Sequence, residues 1–149
     1  MKLYTFIAVL LLLSFSCTKK EQYSVGQEWN YKTRPTEKSS ILKILKIEDY
    51  PETGKIIHIS ISGLKMKNPA SPTGYAETLT HIPISEEALD KSVTSLKNET
   101  GKKPDSLEMG GYSYWKKEFD KGNAGIFTIP VSEIVGAMEK SIVAGDYVK

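Results

Sequence analysis

The chain has 149 residues, 26% of them charged and 40% hydrophobic, with 20 basic against 18 acidic side chains. That length suits one domain with its own core, and the near balance of charge gives no electrostatic basis for binding nucleic acid. A single arginine (Arg34) and a single cysteine (Cys17) argue against an arginine-built phosphate site and leave no intramolecular disulfide to form.

The chain starts "MKLYTFIAVLLLLSFSC". Lys2 precedes an apolar run from Leu3 to Leu13, interrupted only by Thr5, and Ser14-Phe15-Ser16 follows. A charged start, an apolar core and a small-residue end occur in that order in secretory signal peptides. The run is shorter than the ~20 residues a membrane span requires. Cys17 stands where the run stops. The segment resembles a bacterial lipoprotein precursor, whose cysteine is lipidated and becomes the mature N-terminus. Ser16 fits the small residue required before that cysteine; Ser14 stands where the pattern prefers Leu, with Leu13 one place further back. Ordinary cleavage after Ser16 is the alternative, and it would leave an exposed free thiol. The resemblance implies a signal peptide over 1–16, a lipidated N-terminus and tether over 17–24 ("TKKEQYS" after Cys17), and a single globular α+β domain over 25–149. The protein would then be anchored through its lipid in the cell envelope, facing the periplasm or the exterior.

"VGQEWNYKTR" (25–34) alternates, with Gln27, Trp29, Tyr31 and Thr33 on one face, and reads as a half-buried strand ended by Pro35. "SSILKILKIE" (39–48) and "IIHISIS" (56–62) flank a Pro/Gly turn and read as a hairpin. In the second run Ile57, Ile59 and Ile61 share one face, while Ile56, His58, Ser60 and Ser62 share the other. "AETLTHIPI" (76–84) is a fourth strand, with Pro83 at an edge or terminus. Ser85 caps a helix with Glu86 and Glu87 in its first turn and an apolar stripe of Leu89, Val93 and Leu96, broken over 98–104. A second helix is expected over about 112–119 and a short strand over 126–131. Ser132 would cap a last helix bearing Ile134, Val135, Met138 and Ile142. Strands first and helices afterwards predict an α+β fold: an antiparallel meander of about four strands covered on one face by two or three helices.

"HIPISEEALDKSV" (81–93) and "TIPVSEIVGAMEKSI" (128–142) look alike. Their spacing after Ser-Glu differs by two residues, which turns a helix by about 200°. They therefore read as two strand-to-helix junctions and not as a repeated site.

Little of the chain points to catalysis. There is no glycine-rich phosphate loop and no H-E-x-x-H. His58 and His81 are the only histidines, and nothing is spaced to supply further zinc ligands, so no metal or cofactor is expected. The two could meet across neighbouring strands with Glu77 or Glu48, although polar residues on the less buried face of a sheet are the simpler reading. "GYSYWKKEF" (111–119) is the most aromatic stretch. Tyr112, Tyr114, Trp115 and Phe119 cannot all point inward from one helix, so the segment is weighed as a binding surface against core packing. Arg34, on the strand of Trp29 and Tyr31, is a candidate carboxylate clamp, or else a plain strand end.

The stretches "VGQEWNYKTR", "ILKIEDYPETGKIIHISISGLKMKNP", "IPISEEAL" and "GIFTIPVSE" are similar to small bacterial proteins that carry no activity to transfer. The expected function is a non-enzymatic binding or inhibitor-type domain on a lipid anchor, with Trp29, Tyr31, Arg34, Tyr112, Tyr114 and Trp115 as candidate binding residues and a protein as partner. The alternatives are an envelope hydrolase using His58 or His81 with a carboxylate, and a structural subunit of a lipoprotein assembly.

Overall fold

Alternating isoleucines build the centre of the fold. The computed structural model describes residues 22–146, so the signal segment and Cys17 lie outside the described residues. Five strands, β1 (Glu28–Tyr31), β2 (Ile41–Tyr50), β3 (Gly54–Lys67), β4 (Tyr75–Ser85) and β5 (Val93–Asn98), form one antiparallel sheet in the order β4-β3-β2-β1-β5. Ile57, Ile59 and Ile61 lie opposite Ile84, Ile82 and Leu79 on β4, and Ile59 and Ile61 lie opposite Ile44 and Leu42 on β2. Two helices, α1 (Glu86–Ser92) and α3 (Val131–Ala144), bring Ala88, Leu89, Val131, Ile134 and Val135 onto that layer. Each fully buried Ile or Leu contributes about 1.5–3 kcal/mol, so this face carries most of the hydrophobic stabilisation. Among the described residues the expected α+β meander is present, with five strands and three helices, but the helices are divided between the two faces of the sheet and do not all cover one.

The third helix, α2 (Ser106–Phe119), lies on the opposite face, over His58, Ser60 and His81. None of its residues belongs to the apolar core cluster. It is attached mainly by polar and ring contacts. Glu108 bridges Lys43 and Ser60 at 2.7 and 2.6 Å, and the Trp115 indole N–H donates to the Gly125 carbonyl at 2.8 Å.

Several boundaries differ from the sequence reading. The first strand is only four residues long, because Gly26 turns the chain at φ 90° and donates to the Ile44 carbonyl. The helix capped by Ser85 stops at Ser92, and Val93 and Leu96 belong to β5 and not to a helical stripe. β1 would otherwise be a bare edge, and pairing Tyr31 with Val93 and Trp29 with Leu96 satisfies its backbone. α2 begins at Ser106, six residues before the expected start. Asp105 accepts from the Leu107 and Glu108 N–H groups, and Glu108 accepts from the Asp105 N–H. That capping box overcomes the cost of Gly110 and Gly111. The expected strand over 126–131 is reduced to one parallel bridge, Phe127 with Ile84. Pro130, not Ser132, is the N-cap of α3. Its first turn is fastened from outside, since the Val131 N–H donates to the Ser92 hydroxyl at 2.9 Å. The two look-alike junctions thus lie side by side but are capped differently. Among the described residues no helix is long and apolar enough to cross a membrane.

Candidate functional site

Neighbouring strands bring the two histidines together. His58 on β3 and His81 on β4 stack at 5.2 Å between ring centroids, with His58 Nδ1 3.0 Å from His81 Nε2. The other nitrogen of His58, Nε2, is 3.1 Å from Glu48 Oε2, and Tyr112 on α2 donates its hydroxyl to Glu48 Oε1 at 3.0 Å. A carboxylate only accepts, which assigns the tautomers: His58 Nε2–H donates to Glu48, and His81 Nε2–H donates to His58 Nδ1. Glu48, not Glu77, is the carboxylate of this group; Glu77 is exposed on β4. Lys46 stands 3.8 Å from Glu48 and lies over the Tyr112 ring. Trp115 and Tyr112 roof His58 edge-on at 4.7 and 4.9 Å, and Phe119 stacks on Trp115.

His58 is fully buried. Burial lowers its pKa to about 4; Glu48 opposes the shift and Lys46 adds to it. Burial and the neighbouring His58 likewise hold His81 down at about 4. Burial and the Glu48 carboxylate push the Tyr112 hydroxyl up to about 12. At neutral pH both imidazoles are uncharged. No buried side-chain nitrogen or oxygen among the described residues lacks a partner. The group is a closed network.

The hollows of about 390, 360, 280 and 150 Å³ are all lined by residues other than these histidines. Among the described residues no group of three or more His, Cys, Asp or Glu side chains is arranged to hold a metal ion.

The remaining sequence candidates separate into buried and exposed ones. Trp29 and Tyr31 are buried in the core, where the Trp29 N–H donates to Gln27 and the Tyr31 hydroxyl bonds to Ser40. Trp115 is also buried; Tyr114, 73% exposed, is the outward-facing aromatic of α2. Arg34 clamps carboxylates of its own chain. Its Nε and Nη2 donate to Glu37 at 2.8 and 2.5 Å, and Nη1 donates to Glu139 of α3 at 2.6 Å. Glu37 and Glu139 also accept from the Lys65 and Lys67 N–H groups.

Sequence reasoning missed a surface beside this clamp. Arg34, Lys65, Lys67, Tyr75 and Glu139 border the 390 Å³ hollow. The 360 Å³ hollow shares Thr36, Lys65 and Tyr75 with it, so the two hollows lie side by side. The Lys65 ammonium lies 5.3 Å from the Tyr75 ring centroid. The signal was faint, because Lys65 and Tyr75 lie ten residues apart and meet only through β3–β4 pairing, with Lys67 opposite Tyr75. No protein-family model, no curated protein and no solved structure matches the chain.

Proposed function

We propose that this is a lipid-anchored cell-envelope protein whose domain binds a protein or another envelope component without catalysing a reaction on it. The observation that carries the binding reading is the pair of adjacent hollows, together the groove, around Thr36, Lys65 and Tyr75. Its two hollows are each within the size range of ligand sites, and it offers an aromatic face with cationic neighbours. A hydrolase using His58 or His81 has less support. A general base works best with a pKa near the operating pH, and these two imidazoles are held well below it and roofed by Tyr112 and Trp115.

The anchor reading rests on the N-terminal resemblance. From Cys17 to Tyr23, which is buried and donates its hydroxyl to Asp90, the chain can span no more than about 20 Å.

Two measurements test these parts separately. Cys17→Ala should move the protein from the membrane to the soluble fraction; unchanged fractionation would refute the anchor. A photo-crosslinking residue at position 75, in cells expressing the full chain, should give one dominant adduct, which Lys65→Glu reduces at least about fivefold. Absence of any adduct at 75 would count against the groove as the binding surface.

A further inference from the structure

We infer that the His58–His81 pair is an acid-released latch: in mildly acidic conditions α2 leaves the sheet while the core beneath α1 and α3 stays folded. Two independent features of the structure support this.

The first is the separation of α2 from the apolar core. No α2 residue is in the core cluster, and what lies under the helix is a mixed layer, in which the polar His58, His81 and Ser60 sit beside buried Ile56 and Trp115. His81 sits directly beneath Gly111, where an added Cβ would lie 2.6 Å from the His81 Cβ. His58 sits beneath Tyr112 and Trp115. Releasing α2 hydrates this layer without opening the isoleucine face.

The second is the hydrogen-bond logic of the pair. One proton between His58 Nδ1 and His81 Nε2 is required for their 3.0 Å contact. A first added proton is tolerated, because one ring can still donate and the other accept. A second leaves N–H groups facing each other and two positive charges on stacked rings. The charged groups facing the pair offset this only in part. Glu48 from β2 opposes one charge through His58 Nε2, while Lys46, also on β2, adds a positive charge near it. α2 contributes the uncharged Tyr112 hydroxyl, which bonds to Glu48, and Lys116, which lies over Tyr50 and pairs with Asp120. Glu108 of α2 is committed to Lys43 and Ser60. β3 contributes only His58 itself, and β4 contributes only His81.

The direction follows from linkage. A released histidine takes up a proton near its ordinary value of about 6.5, whereas the docked rings resist until about 4. Docking is at full strength above about 6.5 and weakens as pH falls toward 4. The rings titrate as a pair, so the loss is steeper than for one group. Carboxylate anchors such as Glu108, whose pKa lies below the usual range because Lys43 and Ser60 outweigh its burial, act only at lower pH.

Hydrogen exchange on the full-length protein in detergent micelles tests this, with rates corrected for the intrinsic effect of pH. Between pH 7.5 and 5.0, protection of the α2 amides should fall by at least about tenfold, while that of the α3 amides stays within about twofold. His81→Gln keeps an amide donor for His58 Nδ1 and should flatten the pH dependence by about half on a logarithmic scale. His58→Gln with His81→Gln should remove it. Equal loss in α2 and α3, no loss in α2 by pH 5.0, or an unchanged pH dependence in His81→Gln would each overturn the latch.

Discussion

Replacing Arg34 by Met should lower the free energy of unfolding by about 3–5 kcal/mol, read as a shift in the urea midpoint with little change in slope. The Glu37 side chain is fully buried, and its carboxylate is held by two Arg34 donors and the Lys65 N–H. Burial alone raises its pKa, but those hydrogen bonds outweigh it and the group sits below the usual range. Without Arg34, the carboxylate stays buried with one partner or takes up a proton. Glu139 is less affected, because the Lys67 N–H still holds it and its side chain is partly exposed. Changing Arg34 and Glu37 together to apolar residues should cost less than Arg34→Met alone, since no stranded charge remains. The pH dependence has a definite sign. A carboxylate with a depressed folded pKa adds stability above its unfolded value, near 4.3, and that stability is lost as pH falls through the folded value. The deficit of Arg34→Met should therefore be largest near pH 7 and narrow below about pH 4. An equal deficit at pH 7 and pH 3 would show that Arg34 acts by packing and not through its charge.

The adjacent glycines of α2 should respond oppositely to the same substitution. Gly111→Ala should destabilise by about 1–3 kcal/mol, because its Cβ would meet the His81 Cβ at 2.6 Å and Cγ at 3.3 Å, and β4 cannot move without disturbing β3. Gly110→Ala meets nothing within 4 Å and should stabilise by about 0.5–1 kcal/mol through helix propensity. Thermal unfolding of the two variants side by side gives the comparison. Similar effects from both would mean that α2 does not sit on β4 in this register. Gly111→Ala should also weaken the Tyr112–Glu48 hydrogen bond, since lifting the helix carries Tyr112 with it.

What was readable in the sequence followed a simple rule. Where a strand has one apolar and one polar face, alternation declares it, and Ile57, Ile59 and Ile61 announced both the strand and the side that carries the apolar core; that the His58 side is buried too was not announced. Local caps were readable only where they act alone. Ser85 accepts from the Ala88 N–H as its position suggested, whereas Ser132 lies inside α3 and the helix start is fastened by Ser92. Strand β5 was hidden because its partner is β1, more than sixty residues earlier, and a partner's need for pairing leaves no periodic mark.

The candidate site divides along the same line. That His58 and His81 sit on neighbouring strands within reach of Glu48 or Glu77 was legible; that Glu48 is the one and that α2 seals the group was not, since a helix start set by Asp105 brings Tyr112 and Trp115 there. Trp29 and Tyr31, on one face of a half-buried strand, were candidate binding residues, and core packing takes both. Arg34 looked like a clamp for a partner, and it closes on Glu37 and Glu139 of its own chain.

By itself the sequence determined the α+β class and which face of the sheet carries the isoleucine core. Both are written in neighbouring residues, through periodicity and capping. The tertiary structure decided which polar groups meet. Whether an imidazole is a base, a ligand or a closed hydrogen-bonded pair depends on distance and desolvation, and strand register and helix docking set both.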